Sequence, residues 1–145
     1  MTTLDIYNYK NYAEVIKIID GDTFTVLTDF GICKIKQKIR LNRIDTPEKF
    51  GKYKNIGLTV KLHVTQLINN SNNKIFIHAT GQDLYGRIIS EIFLNDNTNL
   101  SDYLINNNLC KLCSGKRLEW NQQDYINIID NFNKLNINTF NITSI

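Results

Sequence analysis

At 145 residues the chain is sized for one domain with a real hydrophobic core, and its 42% hydrophobic and 21% charged content is ordinary for a globular protein. No apolar run approaches the ~20 residues needed to cross a bilayer, and three cysteines fit a reducing compartment better than a disulfide framework. The formal net charge of +3 permits an anionic partner without demanding one.

The N-terminal stretch "MTTLDIYNYKNYAEV" has neither a basic nor an apolar segment of the secretory kind, so an intracellular protein with no membrane association is expected. Residues 1–12 read as an N-terminal extension and residues 13–145 as the domain. From Glu14 the pattern is that of strands. "EVIKII" leads through the turn "DGD" into "TFTVLTDF", rich in β-branched and aromatic residues. The next segment, "ICKIKQKIRL", alternates strictly. Lys34, Lys36, Lys38 and Arg40 fall on one face, and Ile35, Gln37, Ile39 and Leu41 on the other.

"GLTVKLHVTQLI" carries Val60, Val64, Leu67 and Ile68 at helical spacing, which predicts a helix. "KIFIHAT" and "GRIISEIFL" read as two further strands. "NLSDYLINN" reads as a short helix capped by Asn99 or Ser101, and "NQQDYINIIDNFNKL" as a C-terminal helix with Tyr125, Ile128, Ile129, Phe132 and Leu135 on its buried stripe. The asparagine clusters "NNSNN" and "NNN" fall at loops and helix ends. The order is that of an α+β domain: a five-stranded OB-fold barrel with a helix between strands three and four and two C-terminal helices.

Three segments concentrate polar groups. "DGDTF" places Asp20 and Asp22 at a strand turn, where Asx and Gly residues also have a purely structural use. "RLNRIDTPE" sets Arg40, Arg43, Asp45 and Glu48 around Pro47, which fixes its own φ and drives Thr46 towards an extended conformation, so the chain bends here. Taken alone, this stretch admits two readings: a surface ion-pair patch worth ~0–1 kcal/mol, or a reaction centre with carboxylates for a cation and arginines for an anion. "DLYGR" brings Arg87 to the start of a strand.

In this order and on these strands, the three segments strongly resemble the staphylococcal-nuclease-like (thermonuclease) family, from about Val15 to about Leu112. The resemblance implies a calcium-dependent phosphodiesterase on an OB-fold, cutting DNA and/or RNA with little sugar specificity. It implies Asp22 and Asp45 as carboxylate ligands of one Ca²⁺ ion, with Thr46 lending its backbone carbonyl, and Mg²⁺ or Mn²⁺ as other occupants. Asp20 would stand near the metal without ligating it. Arg40 and Arg87 would grip the scissile phosphate, and Glu48 would act as general base or position the water.

These residue types suit the chemistry. Hard cations take oxygen ligands, and guanidinium offers a phosphate two-point hydrogen bonding that ammonium cannot. Tyr85 would contact phosphate or sugar. Lys52, with Lys49 and Lys54, would steer the nucleic-acid backbone alongside Lys34, Lys36 and Lys38.

The sequence departs from the family's best-known secreted member. Leu84 stands where that member has a lysine, the loop "KFGKYKNIG" looks shorter, and "CKLCSGKRL" lacks the tyrosines that flank a base. These changes touch substrate preference more than reaction type. "CKLC" lacks the further paired ligands of a zinc site and reads as small buried residues. The competing function is a catalytically weak nucleic-acid- or protein-binding module of the same fold. Such degenerate copies usually lack one of the charged residues, all of which are present here. No obligate protein partner is evident, and a monomer is expected.

Overall fold

The computed structural model describes residues 8–114 and 118–135. In chain order its elements are β1 (Tyr9–Asp20), β2 (Thr23–Asp29), β3 (Lys34–Leu41), β4 (Ile44–Asp45), α1 (Lys54–Asn70), β5 (Lys74–Gln82), β6 (Ile88–Phe93), α2 (Leu100–Asn106), β7 (Lys111–Leu112) and α3 (Gln122–Leu135). Five of the strands close a barrel in the order β1–β2–β3–β6–β5, with β5 pairing back onto β1. β3 and β6 run parallel and the other neighbours antiparallel. The expected OB-type barrel is thus present, with α1 between its third and fourth strands and α2 and α3 after its fifth.

Alternation explains which side of each strand is buried. Phe24 and Val26 of β2, Ile39 and Leu41 of β3, Ile77 of β5 and Ile92 of β6 are almost wholly covered. Each such side chain contributes roughly 1.5–3 kcal/mol of burial. Helix α1 adds Ile56, Val60, Val64 and Ile68 to this core, and α3 adds Tyr125, Ile128 and Phe132. The alternation of β3 loses its meaning near the strand's start, where Ile35 is 45% exposed. Gln37 keeps the inward direction, its Oε1 accepting from Tyr9 Oη (2.8 Å) and Thr28 Oγ1 (2.7 Å).

Three boundaries differ from the expected ones. β1 begins at Tyr9, inside the stretch read as an extension, because Tyr9 to Glu14 pair in register with Ala79 to Lys74 of β5. Tyr9 also packs on Phe30, with ring centroids 5.3 Å apart. α1 starts at Lys54 rather than Gly57; Tyr53 offers no side-chain cap and the first turn holds no acidic residue, so nothing in the sequence marks the start. β4 and β7 form a small separate sheet, placing "CKLC" beside the "RLNRID" bend.

The asparagine clusters behave as loop residues: Asn72, Asn73, Asn97 and Asn108 all adopt positive φ, which Asn tolerates better than most residues. Asn99 caps α2 by accepting from Asp102 N, and Ser101 instead donates to the Asn42 carbonyl. Residues 1–7, 115–117 and 136–145 of the expected extension and domain lie outside the described residues. No helix among the described residues is long and apolar enough to cross a membrane.

Candidate functional site

Two bulges in β1, after Val15 and after Ile18, bend the strand so that its end turns across the barrel mouth. The turn that follows is packed tightly. A Cβ on Gly21 would sit 2.8 Å from Val60 and 3.1 Å from the Thr46 hydroxyl, so only glycine lets Asp20 and Asp22 approach the bend at Asp45–Glu48 this closely. From the facing side, β3 delivers Lys38 and Arg40, and the β5–β6 loop delivers Leu84, Tyr85 and Arg87. These residues, with Asp20, Asp22, Thr23 and Asp45 to Glu48, line one cavity of about 600 Å³.

Of the expected site residues, Lys52 and the steering lysines Lys34, Lys36, Lys49 and Lys54 lie outside this lining, and the rest are gathered in one place. Lys52 lies on the exposed loop before α1, its ammonium 5.3 Å from the centre of the Tyr53 ring.

Arg40 sits between the two aspartates. Its Nη1 is 3.2 Å from Asp22 Oδ2, its Nη2 is 3.2 Å from Asp45 Oδ1, and Nη1 also donates to the Ile44 carbonyl (3.1 Å). The side chains of Asp22, Asp45 and Arg40 are only 9%, 2% and 14% exposed. Asp22 is fixed further by donors from Thr46 N (2.9 Å) and Thr23 Oγ1 (2.9 Å). Two buried carboxylates facing one guanidinium leave a net negative charge in a low-dielectric place, where a further cation is favoured.

The donor set is all oxygen, as a hard cation requires. Thr46 Oγ1 is buried without a hydrogen-bond partner, and Asp20 Oδ1 has only the Lys49 ammonium, 3.7 Å away, so polar capacity is left over beside the two aspartates. Among the described residues there is no cluster of three or more His, Cys, Asp and Glu groups able to hold a metal ion. The oxygen donors available to a cation here are those of Asp22 and Asp45, beside Thr46.

Arg87 lines the cavity just before β6, the strand that pairs with β3, and is held there by Asp83. Asp83 Oδ2 accepts from Arg87 Nε (2.6 Å), while Oδ1 accepts from the backbone N–H groups of Tyr85 (2.9 Å) and Arg87 (3.0 Å). Burial disfavours the Asp83 carboxylate, but these donors outweigh it and hold its pKa below the usual carboxylate range. Gly86, at φ +80°, closes the turn. Tyr85 is 85% exposed at the rim, with the Arg87 guanidinium 5.6 Å from its ring centre.

Sequence reasoning missed two supporting residues. Asp83 was visible as an acidic residue four positions before Arg87. Trp120, the sole tryptophan, donates Nε1–H to Asp45 Oδ2 (2.9 Å) from 75 residues away, and no local pattern announces that contact.

Arg43, unassigned in the sequence reading, serves the bend rather than the cavity. It takes φ 72° and reaches Glu91 (2.6 and 3.2 Å) and Asp102 (2.8 Å), tying the bend to β6 and α2. Arg43→Gln is expected to destabilise the fold by about 1–3 kcal/mol, since the half-buried Glu91 carboxylate loses its paired donors. Urea unfolding checks this, and an unchanged midpoint would show the contacts to be idle.

Cys110 is half-buried against the core and packs as the small residue expected. Burial first, then the Asp22 and Asp45 charges, push its thiol up to about 12, so it stays protonated and unreactive at neutral pH. His63 is likewise half-buried, its pKa lowered by that burial, and its Nε2 hydrogen-bonds with Tyr103 Oη (2.8 Å).

An uncharacterized endonuclease of Haemophilus influenzae is 36% identical over 84 residues, which is 58% of this chain and 43% of the relative's length. Residues 38–133, about two thirds of the chain, match the family described as staphylococcal nuclease homologue, and the chain belongs to that family.

Proposed function

We propose that this chain is a nuclease that hydrolyses phosphodiester bonds of DNA, RNA or both, with little discrimination between the sugars, using one divalent cation. The observation that carries this reading is the single cavity in which two buried carboxylates face two arginines and a glutamate. Those groups address a cation, a phosphate and a water, rather than a base or a 2′-hydroxyl. The name of the Haemophilus influenzae relative, an endonuclease, points the same way.

Asp22, Asp45 and the Thr46 carbonyl would hold the cation. Calcium suits this set best because it accepts irregular oxygen shells; Mg²⁺ and Mn²⁺ share its donors but Mg²⁺ demands stricter geometry. When bound, the ion neutralises a phosphate oxygen and polarises a water ligand. Arg40 and Arg87, brought to the cavity by the paired strands β3 and β6, together hold the phosphate and stabilise the charge that grows on its equatorial oxygens. Glu48 takes the attacking water's proton or orients that water in line. Tyr85 contacts the sugar–phosphate chain at the rim. Uncatalysed phosphodiester cleavage is slow enough that the site must lower the barrier by about 20 kcal/mol, which calls for metal, arginines and base together.

The test is digestion of single-stranded DNA, duplex DNA and RNA with Ca²⁺, Mg²⁺, Mn²⁺ or a chelator. Cleavage of all three that is abolished by chelation is expected. Folded protein that binds nucleic acid but cuts none of them with any metal would be a binding module instead. A second readout needs no turnover. Because Trp120 bonds to Asp45, Ca²⁺ binding is expected to change the tryptophan emission, and Asp22→Asn is expected to weaken that response at least ten-fold in Ca²⁺ concentration. Emission indifferent to Ca²⁺ in a protein that cleaves with Ca²⁺ would place the ion elsewhere.

A further inference from the structure

The outer face of β3 carries cations at every second position: Lys34, Lys36, Lys38 and Arg40. The three lysines are exposed, and among the described residues none of them pairs with a carboxylate. Lys49, Lys74 and Lys111, by contrast, pair with Asp20, Glu14 and Asp124. Alternate residues of a strand stand about 6.6–6.8 Å apart, within the ~8 Å Debye length of physiological salt, so the lysines reinforce one another's potential. Fold stability gains nothing from such a file.

The file has a direction. Its inner end enters the cavity, which Lys38 and Arg40 both line, and its outer end lies at the β2–β3 turn, about 20 Å away. The neighbouring strands sharpen this polarity. Beside Lys38, Thr25 of β2 pairs in turn with Lys17 of β1, a further exposed cation. Beside Lys36 the row continues through Leu27 to Glu14, which Lys74 occupies. Beside Lys34 stands Asp29. Of the three lysines, Lys38 at the cavity mouth is therefore the one whose row holds no carboxylate.

We propose that this file is an extended track for the phosphate backbone of a single-stranded segment of the substrate, leading away from the bond that is cut. The inference rests on the nuclease reading above and names where the rest of the substrate lies. A single strand is favoured because the groups in the cavity are recessed: Asp45 is 2% and Arg40 14% exposed. An unstacked strand can lower one phosphate into the cavity while its next phosphates follow the lysines. A stacked strand, which advances only ~3.4 Å per nucleotide along its axis, would wind its phosphates away from a straight file of lysines.

The test is fluorescence anisotropy of a labelled 12-nucleotide single strand, in a Glu48→Gln background with Ca²⁺. Lys34→Ser/Lys36→Ser is expected to weaken binding roughly ten-fold at 0.15 M salt and to lower the slope of log K against log salt by about 1.4. A dinucleotide, whose one internucleotide phosphate lies in the cavity, is expected to change less than two-fold. The control is Lys10→Ser/Lys134→Ser, which removes the same charge from β1 and α3 and is expected to leave the slope at its starting value. Equal losses in the two double variants would replace the track with a diffuse charge effect, and no loss in the first would refute it. An equal loss on a 12-base-pair duplex would overturn the preference for single strands. Wild-type cleavage together with an unaffected Lys34→Ser/Lys36→Ser affinity sinks the track alone, whereas failure of wild type to cleave and of every variant to bind sinks the nuclease reading with it.

Discussion

Arg87→Lys is expected to lower kcat by roughly a thousand-fold while the protein stays folded. Arg87 reaches the cavity from a loop that Asp83 braces through two backbone N–H groups as well as the guanidinium. Lysine keeps the positive charge and leaves those backbone bonds in place, so the loop survives. What it removes is the planar fork, which holds two phosphate oxygens at once and is most useful as their charge grows.

Arg40 offers no such clean comparison. Its guanidinium is shared by Asp22 and Asp45, both nearly buried, and a substitution there removes a partner from two carboxylates together. Arg40→Lys is therefore a test of stability as much as of catalysis. Single-turnover cleavage and thermal unfolding of Arg87→Lys, measured side by side, separate the two. A rate within three-fold of wild type would remove Arg87 from the reaction.

Gly57→Ala is expected to destabilise the protein by about 3 kcal/mol, and the sign is the informative part. Gly57 lies within α1, where alanine would ordinarily be better by about 1 kcal/mol. Here a Cβ would overlap the carbonyl of Glu48 and approach Lys49 N to 2.7 Å, and these are backbone atoms that cannot rotate away. The helix can lie against the bend only because it has no side chain at that point. Either α1 or the Glu48 segment must move, so activity is expected to fall along with stability. Urea unfolding and the cleavage rate check both. A more stable protein would mean that the contact relaxes easily and that α1 does not position Glu48.

The barrel and most of the site could be read in the sequence because both leave local marks. β-Branched alternation marks β2 and β3, a turn signature marks "DGD", and Pro47 marks the bend after Asp45. What could not be read depends on contacts between distant segments. The β4–β7 sheet is two residues on each side, too short for any period, and it joins Asp45 to Lys111. Trp120 meets Asp45 only because α3 and the segment before it fold back over that sheet.

Arg43 defeated strand parity for a physical reason. The chain leaves β3 after Leu41, and Arg43 itself takes positive φ, so counting alternate residues through the bend assigns it no face. Its partners Glu91 and Asp102 lie on elements that the sequence predicted correctly but could not dock against the bend. Lys52 is a different case: a loop lysine near the site in sequence, it lies over Tyr53 and does not line the cavity.

The measurement that tests the central claim most directly is cleavage of one end-labelled single strand with Ca²⁺ by wild type and Glu48→Gln, purified in parallel. A contaminating nuclease would cut equally in both preparations, so only the difference belongs to this cavity. The expected result is chelator-sensitive cleavage by wild type and a loss of at least a hundred-fold in Glu48→Gln, with unchanged thermal unfolding. Equal cleavage by both proteins, or none by folded wild type with any divalent cation, would contradict a phosphodiesterase centre built from Arg40, Asp45, Glu48 and Arg87.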